Sequence, residues 1–123
     1  RGGNNPLINK LIHRGGFNIK TVPKEFVDIY LSKVSELGPS LFFQLLAQMS
    51  KHAVISKLDK LGHPVLIIGG DRDKVIPNYL QFLLHKQLRN SFVYVIRNGS
   101  HVPQADFPEL INERMTYFLE NDI

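Results

Sequence analysis

Two short stretches of this sequence carry side chains that can move protons. The first is Gly70-Asp71-Arg72-Asp73, where two carboxylates stand two residues apart. The second is Asn98-Gly99-Ser100-His101-Val102-Pro103, where an imidazole follows a glycine turn. Asp73 and His101 are 28 residues apart, in the order acid then base. A hydrolytic triad needs an imidazole to take a nucleophile's proton. It also needs a buried carboxylate to hold the ring's tautomer and stabilise the imidazolium. Each stretch alone has an ordinary reading as well. An Asp-x-Asp loop can be a turn whose carboxylates accept backbone hydrogen bonds, and two carboxylates without further ligands are a poor metal site. A histidine can be a plain surface residue. His13, His52, His63 and His85 read that way, because they sit on helices, in connectors or before Pro64 without a partner pattern.

The elements around the two stretches decide between these readings. Pro64-Val65-Leu66-Ile67-Ile68-Gly69-Gly70 is a continuous apolar run closed by two glycines. It predicts a strand buried on both faces, the kind found in parallel sheets covered by helices. A loop over 71–77 leads to a helix through about residue 88, with Leu80, Leu83, Leu84 and Leu88 as its apolar stripe. Ser91-Phe92-Val93-Tyr94-Val95-Ile96 predicts a second strand, and Asn98-Gly99-Ser100 a turn. In Asp106-Phe107-Pro108-Glu109 an acidic cap is followed three residues on by Glu, a capping-box pattern. The helix it opens has Ile111, Met115, Phe118 and Leu119 on its apolar face. Asp73 and His101 thus follow the carboxyl ends of two strands, where open α/β sheets gather their ligands and catalytic groups.

The first half reads as helical. Leu7, Ile8, Leu11 and Ile12 sit at helical spacing between Gly/Asn/Pro-rich loops. Thr21 is placed to cap a helix with Pro23 in its first turn. Phe26, Ile29, Tyr30, Lys33, Val34 and Leu37 share one face of that helix, and Gly38-Pro39 ends it. A second helix, fading near residue 52, has Leu41, Phe42, Leu45, Leu46 and Met49 on its buried side.

Buried strands alternating with helices predict an α/β layered fold. Two strands make a poor sheet, yet each reads as covered on both faces. The chain therefore calls for further strands from elsewhere.

At this point the chain resembles the C-terminal half of the α/β-hydrolase superfamily. Residues 64–77, a strand followed by Gly-x-x-Asp and then Pro77, are similar to that family's penultimate strand and acid loop. Residues 98–103, followed by Phe107-Pro108-Glu109, are similar to its histidine loop and closing helix. The resemblance is good over about 60–123 and loose over 1–59. It implies a division into a helical cap region with a connector helix, 1–55, and the C-terminal part of the core, 56–123. It identifies Asp73, not Asp71, as the acid and His101 as the base. It implies a carboxylic-ester hydrolase acting on a small apolar substrate, with a serine nucleophile upstream of this chain. An Asp nucleophile, as in dehalogenases and epoxide hydrolases, and a non-catalytic binding protein on the same fold are the alternatives. The family's nucleophile elbow is often Gly-x-Ser-x-Gly, which does not occur here. Ser100 follows Gly99, but Asn98 takes the earlier position, so Ser100 reads as a turn residue. This chain alone is expected to be inactive, and also to be unstable, to pair with the N-terminal half of its own domain, or to self-associate through an open sheet edge. No cofactor and no metal are implied.

Composition bounds the rest. The 123 residues are 43% hydrophobic and 21% charged, ordinary for a globular protein. The absence of cysteine excludes disulfides, thiolate catalysis and Cys-based zinc sites. The net charge of +4 comes from scattered single residues, whereas nucleic-acid binding needs a clustered footprint. The longest apolar runs are too short to cross a bilayer. The expected location is the cytoplasm. The chain begins at Arg1 rather than Met, so a targeting signal can lie ahead of it.

Overall fold

The structure is a computed structural model and describes residue 10, residues 16–18 and residues 20–123. The apolar patch expected at Leu7, Ile8, Leu11 and Ile12, and His13, lie outside the described residues. The described elements run in order α1 (Lys24–Met49), a 3-10 turn (Ile55–Lys60), β1 (Val65–Gly70), α2 (Asn78–Gln87), β2 (Ser91–Ile96), α3 (Pro103–Asp106) and α4 (Pro108–Asn121).

The two strands pair in parallel, from Val65 opposite Ser91 to Gly70 opposite Ile96. Parallel neighbours need a crossover rather than a hairpin, and α2 supplies it. Alternation along the strands sends successive side chains to opposite faces. Gly69 therefore faces α2, where the Gln81 side chain fills the space a β-carbon would take. Ser91, on the same face, meets His85 of α2 at 2.8 Å. Phe92 and Tyr94 point the other way. There Phe118 of α4 packs edge-on to Phe92 at 5.8 Å, and the Arg114 guanidinium lies over Tyr94 at 5.6 Å. The sheet is thus sandwiched between α2 and α4, the layering predicted from the sequence.

Helix boundaries differ from expectation at both predicted caps. Pro23 itself is the N-cap of α1, with no side-chain capping bond. Phe107, between α3 and α4, is the N-cap of α4, again with no side-chain bond. Thr21 and Asp106, expected as caps, bond to each other instead, with the Thr21 Oγ1 donating to Asp106 Oδ1 at 2.6 Å. Gly38 breaks α1 as expected, with φ 70° and ψ 157°, a conformation that suits a residue without a β-carbon. One helical arm of α1 ends at this kink and a second begins just after it.

Burial departs further from the predicted faces. In α1 the buried residue is Val27, while Ile29, Tyr30 and Leu37 are exposed. Beyond the kink Leu41, Phe42, Leu45, Leu46 and Met49 are all exposed, not buried. In α2 Gln81 is buried and Leu83 and Leu84 are exposed. In α4 Ile111 and Phe118 are buried, but Met115 and Leu119 are exposed. Most strand residues are only half-buried. The predicted helices form, but most of their predicted apolar faces are left open. A face stays open wherever the layer that would cover it is not among these residues. The buried core that does form, Phe17, Val22, Val27 and Val102, lies beside the 98–106 loop, with Phe26, Leu31 and Ala105 packed against it. Among the described residues no helix is long and apolar enough to cross a membrane.

Candidate active site

The site lies where the chain leaves the carboxyl ends of β1 and β2, and glycine backbone lets the two exits touch. A β-carbon on Gly70 would overlap the Gly99 backbone. That closeness lets Asp71 N–H donate to Ile96 O at 3.0 Å and Arg72 N–H to Gly99 O at 2.9 Å. Asp71 adds a third tie, its Oδ1 accepting from Asn98 N–H at 2.6 Å. Asn98 has φ 63°, in the left-handed region that Asn enters more readily than most residues. This turn brings the chain back towards the acid loop.

Across this junction the two predicted site residues meet. Asp73 Oδ2 lies 3.0 Å from His101 Nδ1. The other oxygen, Oδ1, accepts from Val75 N–H at 2.8 Å and Ile76 N–H at 2.9 Å. The Asp73 side chain is 5% exposed and the His101 ring 42% exposed. An ionised carboxylate can only accept, so the proton between them sits on Nδ1. The neutral ring then offers its Nε2 lone pair to the open side, and no hydrogen bond reaches Nε2 among the described residues. Two backbone amides fix the carboxylate, and the carboxylate fixes the ring. Such a pair can take a proton from a hydroxyl or water placed at Nε2 and return it to a leaving group.

The backbone around His101 is held just as closely. Ser100 N–H donates to Asp106 Oδ2 at 2.5 Å, His101 N–H to Gly16 O at 3.0 Å, and Val102 N–H to Ser100 Oγ at 3.3 Å. Asn18 Nδ2 donates to Asn98 O at 2.9 Å. Ser100 is 2% exposed and its hydroxyl oxygen serves this turn, as its sequence neighbours predicted. Sequence reasoning did not find Gly16, Asn18, Thr21 or Asp106 as parts of the site. Thr21 and Asp106 are 85 positions apart, and each lies shortly before a helix, α1 and α4, where a local cap is the ordinary expectation. Among the described residues no three His, Asp or Glu side chains cluster as a metal ion would require.

The fold has counterparts among known proteins. The chain superposes over 96% of its length on the crystal structure of a membrane phospholipase A, a bacterial virulence factor, with a TM-score of 0.73 and 23% identity. It superposes over 81% of its length on MGS-MChE2, an α/β-hydrolase enzyme from the metagenome of sediments from the lagoon of Mar Chica, Morocco, with a TM-score of 0.65 and 26% identity. The chain is the C-terminal portion of an α/β-hydrolase fold. In sequence it is 33% identical over 64 residues, 52% of its length, to "Uncharacterized hydrolase YugF" of Bacillus subtilis (strain 168). No family model matches. The chain spans 23% of the YugF protein, and 41% and 47% of the two crystallised chains.

Proposed function

We propose that the complete protein carrying this chain is a hydrolase, and within that class a carboxylic-ester hydrolase. The observation that carries the reading is the hydrogen bond between buried Asp73 and the half-exposed ring of His101, at the joined ends of two parallel strands. The likeness to a phospholipase A, to an α/β-hydrolase enzyme and to a hydrolase of Bacillus subtilis supports it.

In this reading a hydroxyl nucleophile, a serine outside these residues, attacks the ester carbonyl. Its proton passes to His101 Nε2, and the C–O bond to the alcohol breaks as that proton moves on to the leaving oxygen. Water then repeats the sequence on the acyl group, with His101 again taking and returning the proton. Asp73 holds the ring and balances its positive charge in both halves. The apolar side chains of α1 beyond Gly38 form part of a cap and favour a substrate with a small apolar acyl or alcohol group.

The test is turnover of p-nitrophenyl butyrate by the complete protein, together with intact mass after exposure to a fluorophosphonate. Turnover and a single covalent adduct are expected. A protein that neither turns over the ester nor takes up the label is not a serine esterase.

A further inference from the structure

Asp106 is 8% exposed and carries a carboxylate. A buried charge of this kind is costly unless it is well bonded, and its bonds here lead to the histidine loop. One oxygen takes the N–H of Ser100, the residue before His101, and the other takes the Thr21 hydroxyl. Thr21 Oγ1 also lies 3.2 Å from Asn18 O. A hydroxyl has one proton, and the shorter contact with an anionic acceptor, 2.6 Å, claims it. Asn18 in turn holds Asn98 O. Asp106 therefore clamps the start of the histidine loop to the segment that packs on its other side through Phe17 and Val22.

We infer that Asp106 is a positioning residue for His101: through Ser100 N–H and Thr21 it fixes the backbone from which the imidazole reaches Asp73. The inference builds on the reading of His101 as the base, but concerns geometry that can be observed without turnover. The carboxylate's work here is to accept two hydrogen bonds, and an amide can do nearly the same. In Asp106→Asn the amide oxygen accepts from Ser100 N–H. The amide nitrogen donates to Thr21 Oγ1, whose own proton turns to Asn18 O. In Asp106→Ala the Ser100 amide is left buried without a partner and the loop is released.

The experiment uses the complete protein with Asp106→Ala, Asp106→Asn, and Asp106→Asn combined with Thr21→Val. Two quantities are read: kcat and KM for p-nitrophenyl butyrate, and the downfield proton resonance of the His101 Nδ1–H in its bond to Asp73. Asp106→Ala is expected to lower kcat on the order of 10²-fold with KM near wild type, and to broaden or abolish the resonance. Asp106→Asn is expected to restore both. The double variant, which strands the amide nitrogen, is expected to lose them again. If Asp106→Ala folds and keeps kcat and the resonance, the inference is overturned. If Asp106→Asn falls as far as Asp106→Ala, charge and not position is what Asp106 supplies, and the inference is overturned as well. Should Asp106→Ala fail to fold, the contrast between Asp106→Asn and the double variant decides. Should the wild type hydrolyse nothing, the resonance still reports on Asp106, and only the esterase reading falls.

Discussion

Gly70 and Gly99 approach each other so closely that a β-carbon on Gly70 would overlap both atoms of the Gly99 carbonyl. The obstacle is backbone on both sides, and no flexible side chain can swing away to make room. Gly70→Ala should therefore push the acid loop off the histidine loop. Such overpacking costs typically about 1–3 kcal/mol. Chemical denaturation of the complete protein should show a loss of this order, and esterase turnover should fall with it. Unchanged stability would mean that the two loops do not touch as described.

The two aspartates of the acid loop divide their work, and substitution should separate them. Asp73→Asn keeps the shape but offers the ring an amide that can donate, which favours the wrong tautomer. The corresponding change in a serine protease triad lowers kcat by about 10⁴, and a loss of that size is expected here. His101→Ala removes the proposed base and should be at least as damaging. Asp71 instead holds Asn98 N–H. Asp71→Ala should cost about 1 kcal/mol of stability and reduce kcat far less than Asp73→Asn. Kinetics showing the reverse order would exchange the roles of the two carboxylates.

How much of this was legible in the sequence depends on the range of the interaction. The strands were legible because continuous apolar runs such as Val65–Ile68, closed by glycines, have few other readings. Their parallel pairing followed from the helix between them. The meeting of Asp73 and His101 followed from both ending strands at one edge. The faces of the helices were harder. Leu41, Phe42 and Met49 are apolar and regularly spaced, yet exposed, because periodicity marks a face meant for burial and says nothing of what is there to cover it. Asp106 was misread for a different reason. Its spacing to Glu109 fits a local cap, but its carboxylate binds Ser100 N–H and the Thr21 hydroxyl. A tertiary contact displaced a cap that local spacing alone would have favoured.

The turn at Asn98 gives a test of backbone geometry alone. Asn98 bonds to both neighbouring segments through its backbone, its N–H to Asp71 and its carbonyl to Asn18. The side chain's importance then rests on its tolerance of φ 63°. Asn98→Gly should leave stability within about 0.5 kcal/mol and preserve activity. Asn98→Val, β-branched and poorly suited to this region, should cost about 1–2 kcal/mol. A thermal melt of each variant checks the pair. Equal effects would show that the Asn98 side chain matters for some other reason.

The last prediction concerns the 123-residue chain on its own. Among the described residues its sheet has two strands, which is marginal in water. Phe43 is 66% exposed and Met49 70% exposed, within a run of exposed Leu and Phe side chains beyond Gly38. On the α2 side, Asn78 Oδ1 and Gln81 Oε1 are buried without a hydrogen-bond partner among the described residues, and each such acceptor costs free energy. Exposed apolar surface, an unpaired strand edge and orphaned acceptors are all features that a covering layer would remove. The isolated chain should therefore associate with itself or bind a hydrophobic dye such as ANS, and should melt without a sharp transition. Co-expression with the remainder of its domain should suppress both behaviours. Sedimentation of the isolated chain as a monomer, with a cooperative calorimetric transition, would show instead that these faces are stable in water as they stand.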